Sequence, residues 1–169
     1  GGDCHVSLDG RRRSLGYRGF AYLPLSSSFS IELGPAATVM WIKRRYEPWP
    51  GLEAPPALFG SLPAVPADPT PVLGLVRREL LDPADPAFDF NISHMEFAPD
   101  AALAQIEIHD EEHGLYMTSG GGVYHLDGDE HTVAADDFIY MAPYCPQGFS
   151  AGPDGGSYLL YKDVYRDGF

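Results

Sequence analysis

At 169 residues and 44% hydrophobic content the chain has enough apolar material for a buried core, as one ordinary domain or two small ones, which excludes intrinsic disorder. Nineteen Gly and sixteen Pro without a Gly-X-Y period cut it into short segments, so long helices have little room. Twenty-four Asp and Glu against eleven Lys and Arg leave a formal charge of −13, a sign that repels phosphate backbones and anionic lipid heads; no nucleic-acid and no membrane partner is expected.

In chain order, short stretches rich in Val, Ile, Tyr and Phe and bounded by Gly, Pro or Asp read as strands. They are Cys4–Leu8, Gly19–Leu23, Ser28–Leu33 and Thr38–Arg45, with Arg11-Arg12-Arg13 read as a solvated turn. Pro48 to Pro71 holds eight prolines, which donate no ladder hydrogen bonds, and reads as a connector. Beyond it come Val72–Glu79, Phe88–Phe97, Ala104–His109, Gly114–Ser119, Gly122–Leu126, Thr132–Ala134, Asp137–Met141, Gly148–Ala151 and Gly156–Asp163. Asp127-Gly128 marks a hairpin turn, since Gly accepts the positive φ such turns need. A short helical turn is expected over Asp82–Ala87. Many short strands with tight turns predict an all-β sandwich or barrel.

No run approaches the ~18 to 20 apolar residues of a membrane span, and no signal-peptide pattern is visible. Two cysteines, Cys4 and Cys145, lie far apart without CxxC spacing, so a reducing cytoplasm fits better than secretion. Residue 1 is Gly rather than Met, and GGDCHVSL reads like the middle of a sheet; the expectation is a chain that begins inside a larger protein.

Chemistry concentrates in Glu107-Ile108-His109. On a strand, residues two apart point to one face, and His113 follows after only Asp110-Glu111-Glu112, enough to turn a corner. Three groups can thus converge, and carboxylate with imidazole suits a divalent transition metal. The competing reading is a polar strand pair at the surface, since Asp110-Glu111-Glu112 is itself a solvated turn. Cys145 has no basic partner nearby in sequence and reads as a packed turn residue. His5, His94, His125 and His131 read as structural or exposed, and the Asn91-Ile92-Ser93 sequon is discounted.

A further stretch, Asp137 to Gln147 (DFIYMAPYCPQ), supplies a strand, a proline-bracketed turn and a Gln. With Glu107-x-His109-x-x-x-His113 and Gly120 to Gly122 it resembles the cupin superfamily, with the first motif in altered order and Gln147 where a closing His usually stands. The altered order is similar to the (S)-ureidoglycine aminohydrolase family, bicupin enzymes of purine-ureide degradation whose bacterial members were called glyoxylate-induced proteins. The likeness is dense from about Phe88 to Asp167 and extends upstream to YRGFAYLPL and TVMWIKRRYE.

The resemblance implies a cupin double-stranded β-helix, or jelly roll, in a bicupin whose first domain is incomplete here. Residues 1–47 would be the latter half of that domain, 48–71 a Pro-rich linker and 72–169 the cupin domain carrying the metal site. It implies Glu107, His109, His113 and Gln147 as ligands of Mn²⁺, with Fe²⁺ or another divalent ion as the alternative. Carboxylate and amide oxygens are hard donors that suit such ions. It implies Tyr124, Tyr158 and Lys162 around a small ureido substrate, Lys162 and Tyr158 taking catalytic roles. With a net charge of −13, the metal and Lys162 would be the local cations that hold an anionic substrate. The implied activity is hydrolytic deamination of (S)-ureidoglycine. A non-catalytic metal cupin that binds a small carboxylate and an Fe²⁺ cupin dioxygenase stand as alternatives. Open strand edges in the first part imply a homo-oligomer or cover from another segment.

Overall fold

The structure is a computed structural model and describes residues 3–25 and 27–164. Gly1 and Gly2, with which the first expected sheet segment opens, Ser26, and Tyr165–Phe169, into which the family likeness runs, lie outside the described residues. The chain forms two compact units. One extends to Pro66 and includes Asp85–Asp89; the other comprises Ala67–Ala84 and the chain from Phe90 onward. No helix among the described residues is long and apolar enough to cross a membrane.

In the first unit, β1 (Cys4–Leu8) lies between β2 (Arg11–Leu15) and β4 (Phe29–Leu33) in an antiparallel sheet, while β3 (Gly19–Tyr22) pairs with β5 (Leu58–Ser61). The expected turn at Arg11–Arg13 is instead strand β2. Asp9 (φ 48°) and Gly10 (φ 79°) make the turn, and Leu8 pairs with Arg11 directly after it. The exposed arginines suit an outer strand, where Arg12 pairs with Glu32 at 2.8 Å.

Thr38–Arg45 forms no strand. Side-chain bonds to the 85–89 loop hold the following residues instead. The buried carboxylate of Asp89 accepts the Glu47 N–H at 2.9 Å and faces Arg44 Nε at 3.4 Å, and the Tyr46 hydroxyl donates to the Ala87 carbonyl at 3.0 Å. Trp41 packs on Phe29, with ring centroids 5.8 Å apart. Within the Pro-rich connector, residues 57–62 lack proline and keep their N–H groups, so β5 forms there and a 3₁₀ turn, Leu62–Ala64, follows it. Asp82–Ala87 is not helical; Asp82 and Asp85 accept from the N–H two residues on, at 2.9 Å each, making two Asx turns.

The second unit contains β6 (Leu75–Glu79), β7 (Phe90–Phe97), β8 (His113–Leu126), β9 (Asp129–Ala134), β10 (Phe138–Met141) and β11 (Gln147–Asp163). The sheet order is β10-β8-β11-β7-β6, with β9 also on β8. Asp127 (φ 50°) and Gly128 (φ 92°) close the β8–β9 hairpin as the sequence predicts. Two pairs of expected strands fuse: Gly114–Ser119 with Gly122–Leu126 into β8, and Gly148–Ala151 with Gly156–Asp163 into β11. Glycine carries β8 through the join. Gly120 has φ +64°, and a Cβ on Gly122 would be driven into the Ser150 carbonyl oxygen. Ala104–His109 is no continuous strand either; bends at Ala104 and Gln105 interrupt its ladder, leaving single bridges of Ala102 to Ser150 and Glu107 to Gln147.

The fused strands bend back on themselves around one core. Phe149 and Tyr158, both on β11, bring their ring centroids to 5.5 Å, and Phe97 meets both, at 5.0 and 5.5 Å. Leu115, Met117, Tyr124, Val133, Ile139 and Met141 complete the buried cluster with Leu75, Met95 and Ala151. Directly opposed residues share a face, which sorts the inward positions into rows. Arg77, Met95, Tyr158 and Met117 form one row; Glu79, Ser93, Leu160, Leu115 and Ile139 the next; Asn91, Lys162, His113 and Met141 the third. The inner face therefore turns from apolar to polar toward the end that carries His113.

Candidate metal and substrate site

The site is assembled from three stretches of the second unit. The Glu107–Gln147 bridge is a reciprocal pair of backbone bonds of 2.7 and 2.9 Å, fixing the two residues opposite each other. The Tyr144 N–H donates to the His109 carbonyl at 2.6 Å and ties the segment after Glu107 to the proline-bracketed turn. His113 opens β8, opposite Met141 on one side and Lys162 on the other.

These constraints orient a chain of side chains. His113 is buried, and its Nδ1 donates to the Glu111 carbonyl at 2.9 Å, leaving Nε2 as the acceptor nitrogen of the ring. Burial lowers the His113 pKa, which outweighs its hydrogen bonds to Glu111 and Gln147 and favours the neutral ring that can act as a ligand. The buried Gln147 amide nitrogen meets that Nε2, and its Oε1 accepts from the Tyr124 hydroxyl at 3.0 Å. Separately, His109 Nε2 contacts Glu107 Oε2 at 3.1 Å, and the two imidazoles stand 5.4 Å apart between ring centroids.

Glu107 with His109 and His113 with Gln147 thus form two adjacent pairs. Among the described residues no three His, Cys, Asp or Glu side chains already form a metal-holding group. The donor chemistry nonetheless fits a divalent cation. A carboxylate, two imidazoles and an amide are present, and the His113 tautomer is set by a backbone carbonyl in the manner of metal-bound histidines.

Tyr124 and Tyr158 are each 2% exposed, and both hydroxyls are held above the ordinary phenol pKa, chiefly by burial and then by neighbouring groups including Glu107. At neutral pH they are protonated phenols, donors rather than bases. Tyr124 spends its proton on Gln147, so it touches a candidate ligand directly. Lys162 shares the inner face with Tyr158 and Leu160, as strand alternation predicts, and its Nζ lies 3.3 Å from Glu111 Oε1. Cys145 is half-buried in the turn, its Sγ 3.6 Å from the Pro146 carbonyl, as a packing residue should be.

Sequence reading missed the polar remainder of this inner face. Glu79 is pushed up in pKa by burial, with Arg77, 3.1 Å away, pulling the other way. Asn91 lies opposite Lys162 and has a buried Oδ1 without a hydrogen-bond partner. Alternation alone marks Arg77 and Glu79 as one face of β6, but only the pairing of β6 with β7 shows that this face turns inward. Glu111 reads in the sequence as part of a solvated turn, yet its carbonyl and carboxylate engage His113 and Lys162.

Comparison with known proteins bears on the fold that carries these residues. A cupin domain family matches residues 93–157. The chain is 39% identical over 149 residues to the (S)-ureidoglycine aminohydrolase of Arabidopsis thaliana, covering 88% of this chain and 49% of that protein. It is 34% identical to the (S)-ureidoglycine aminohydrolase of Escherichia coli (strain K12), covering 98% of this chain and 65% of that one. A crystal structure described as the putative glyoxylate-induced protein of Pseudomonas aeruginosa superposes with a TM-score of 0.85 at 27% identity, over 96% of this chain and 62% of the other. The fold is the cupin fold. Within that fold the chain is similar over most of its length to relatives named (S)-ureidoglycine aminohydrolase. It spans about half the length of the plant relatives it matches.

Proposed function

We propose that this chain is part of an enzyme that hydrolytically deaminates (S)-ureidoglycine to (S)-ureidoglycolate and ammonia in purine and allantoin degradation. The observation that carries the reading is the inner end of the second unit, where the hydrogen-bonded chain Tyr124–Gln147–His113 lies beside Lys162, the residue opposite His113 in the sheet. Identity of 34 to 39% to relatives of that name over most of the chain supports it.

In this reading Glu107, His109, His113 and Gln147 hold a divalent cation, with Mn²⁺ favoured by the two hard oxygen donors. When bound, the ion supplies electrostatic stabilisation of charge developing on the substrate. Gln147 offers its amide oxygen, and the Tyr124 hydroxyl, which both donates and accepts, can serve either end of that amide. Lys162 binds the substrate carboxylate, and the protonated Tyr158 phenol donates a hydrogen bond beside it. The C–N bond to the amine breaks, a C–O bond to water forms, and the water proton leaves with ammonia; in this reading Lys162 and Tyr158 relay it.

The free Cys4 and Cys145 support a reducing cytoplasmic setting. Phe138 (63% exposed) and Tyr140 (54%) on the edge strand β10 support a homo-oligomer. The separate β2-β1-β4 sheet supports residues 1–47 as part of a first cupin domain and 72–169 as the metal-bearing domain, while β5, within the 48–71 linker, pairs with β3 of the first unit.

The test follows ammonia release from freshly generated (S)-ureidoglycine by the full-length gene product, with Mn²⁺ and with chelator. Release well above spontaneous decay, abolished by chelator and without oxygen consumption, is the expected result; a rate equal to spontaneous decay overturns the assignment. Glu107→Ala and His113→Ala should each lose bound metal and activity together, and loss of neither would remove the ligand set.

A further inference from the structure

Lys162 already has an anionic partner. Glu111 Oε1 lies 3.3 Å from its Nζ, and both side chains are about three-quarters withdrawn from solvent, with 26% and 23% of their surfaces exposed. The pairing is built into the backbone. The Asp163 N–H donates to the Glu112 carbonyl at 3.0 Å, clamping the 111–112 turn to the end of β11 one residue from Lys162. The Glu111 carbonyl is fixed in turn by the His113 Nδ1 proton at 2.9 Å. The backbone that carries this carboxylate is thus fixed on both sides, and the carboxylate itself stands beside the cation proposed to receive the substrate's carboxylate.

We propose that Glu111 is a specificity-determining residue, which makes Lys162 accept carboxylates that carry an amine on the adjacent carbon and disfavours those that do not. This rests on the reading of Lys162 as the substrate cation. A bare carboxylate approaching Lys162 has to displace Glu111 or lie beside it, and either costs Coulomb energy where both side chains are partly withdrawn from solvent. A ligand with a carboxylate and a protonated amine on one carbon presents a charge to each member of the pair, so the ion pair is exchanged for two others. (S)-Ureidoglycine has that pattern, whereas its product carries a hydroxyl in place of the amine. Glu111 thereby favours substrate over product at the same cation.

The experiment uses the full-length gene product loaded with Mn²⁺, with glycine and glycolate as unreactive probes of the two patterns, and reads their dissociation constants by calorimetry together with metal content. In Glu111→Gln, which keeps the side-chain shape and the backbone carbonyl, glycolate is expected to bind about three- to fivefold more tightly. Glycine should not gain, so the preference for glycine falls by at least that factor. Glycolate binding that is unchanged or weakened overturns the proposal. So does loss of bound metal in Glu111→Gln, since the side chain is given no part in holding the ion. Lys162→Met separates the two levels of the argument. It should weaken both probes; if it weakens neither, the reading of Lys162 itself fails, whereas weakening by Lys162→Met without tightening by Glu111→Gln defeats the Glu111 proposal alone.

Discussion

The two units start from the same local device and use it differently. Each contains a hairpin turned by Asp-Gly with both residues at positive φ, Asp9-Gly10 in one and Asp127-Gly128 in the other. In the first unit the outer strands β2 and β4 flank β1 with mostly exposed residues, and only Cys4 and Val6 of that sheet are buried. In the second, the fused β8 and β11 double back and enclose an aromatic cluster in which Phe149 is 1% exposed. A turn thus decides that two strands pair, and the length and bend of the strands decide whether they enclose anything. Enclosure matters to the chemistry, because burial is the leading cause of the neutral His113 and of the protonated Tyr124 and Tyr158.

The sharpest way to break this contrast is to remove one aromatic from each unit. Phe149→Ala empties the centre of the core and is expected to cost about 3–5 kcal/mol. Phe29→Ala on β4, where the ring is 40% exposed, should cost about 1 kcal/mol or less. Urea unfolding followed by hydrogen exchange, which locates the loss in one unit or the other, measures both. Equal losses would show that the second unit's enclosure contributes nothing extra.

Tyr124→Phe is a smaller change to the same interior. It leaves the Gln147 carbonyl oxygen without its donor at a buried position and is expected to cost about 1–2 kcal/mol. Metal affinity should fall with it, because the amide loses the group that fixes its orientation. Titration of the apoprotein with Mn²⁺ checks this. Unchanged affinity would reduce Tyr124 to a packing residue.

A further expected effect belongs to the first unit and shows only at high pH. Burial, reinforced by Asp89 and Tyr46, pushes the Tyr22 hydroxyl up to about 12 from an ordinary value of 10.0. The fold therefore favours the neutral phenol. Its contribution to stability is complete below pH 10 and is lost as the pH rises toward 12, since the unfolded chain ionises first. Tyr22→Phe should flatten that part of the stability curve relative to wild type. Superimposable wild-type and Tyr22→Phe slopes across this interval would show that Tyr22 is not held in its neutral form.

Much of the candidate site is legible in the residues because the rules behind it are local. Glu107 and His109, two apart, do meet, and Tyr158 and Lys162 do share a strand face. Less legible were features that need a second segment. Arg11–Arg13 is a strand because β1 lies beside it, and the Asp9-Gly10 turn was signalled by the same dipeptide recognised at Asp127-Gly128. Thr38–Arg45 has the composition of a strand but joins no ladder, and composition does not supply a partner. The glycines at 120–122 look like a break, yet they are what lets β8 run on close against β11.

By itself the sequence determined the hairpin turns, the alternation of strand faces and the order of the candidate donors along the chain, because φ preference and a two-residue period act over a few neighbouring residues. Tertiary structure alone decided that Gln147 meets His113 across 34 residues, that Tyr124 orients its amide, and that Glu111 faces Lys162. Those contacts depend on the register between strands far apart in the chain, which is set when one face of the folded sheet is buried against the other.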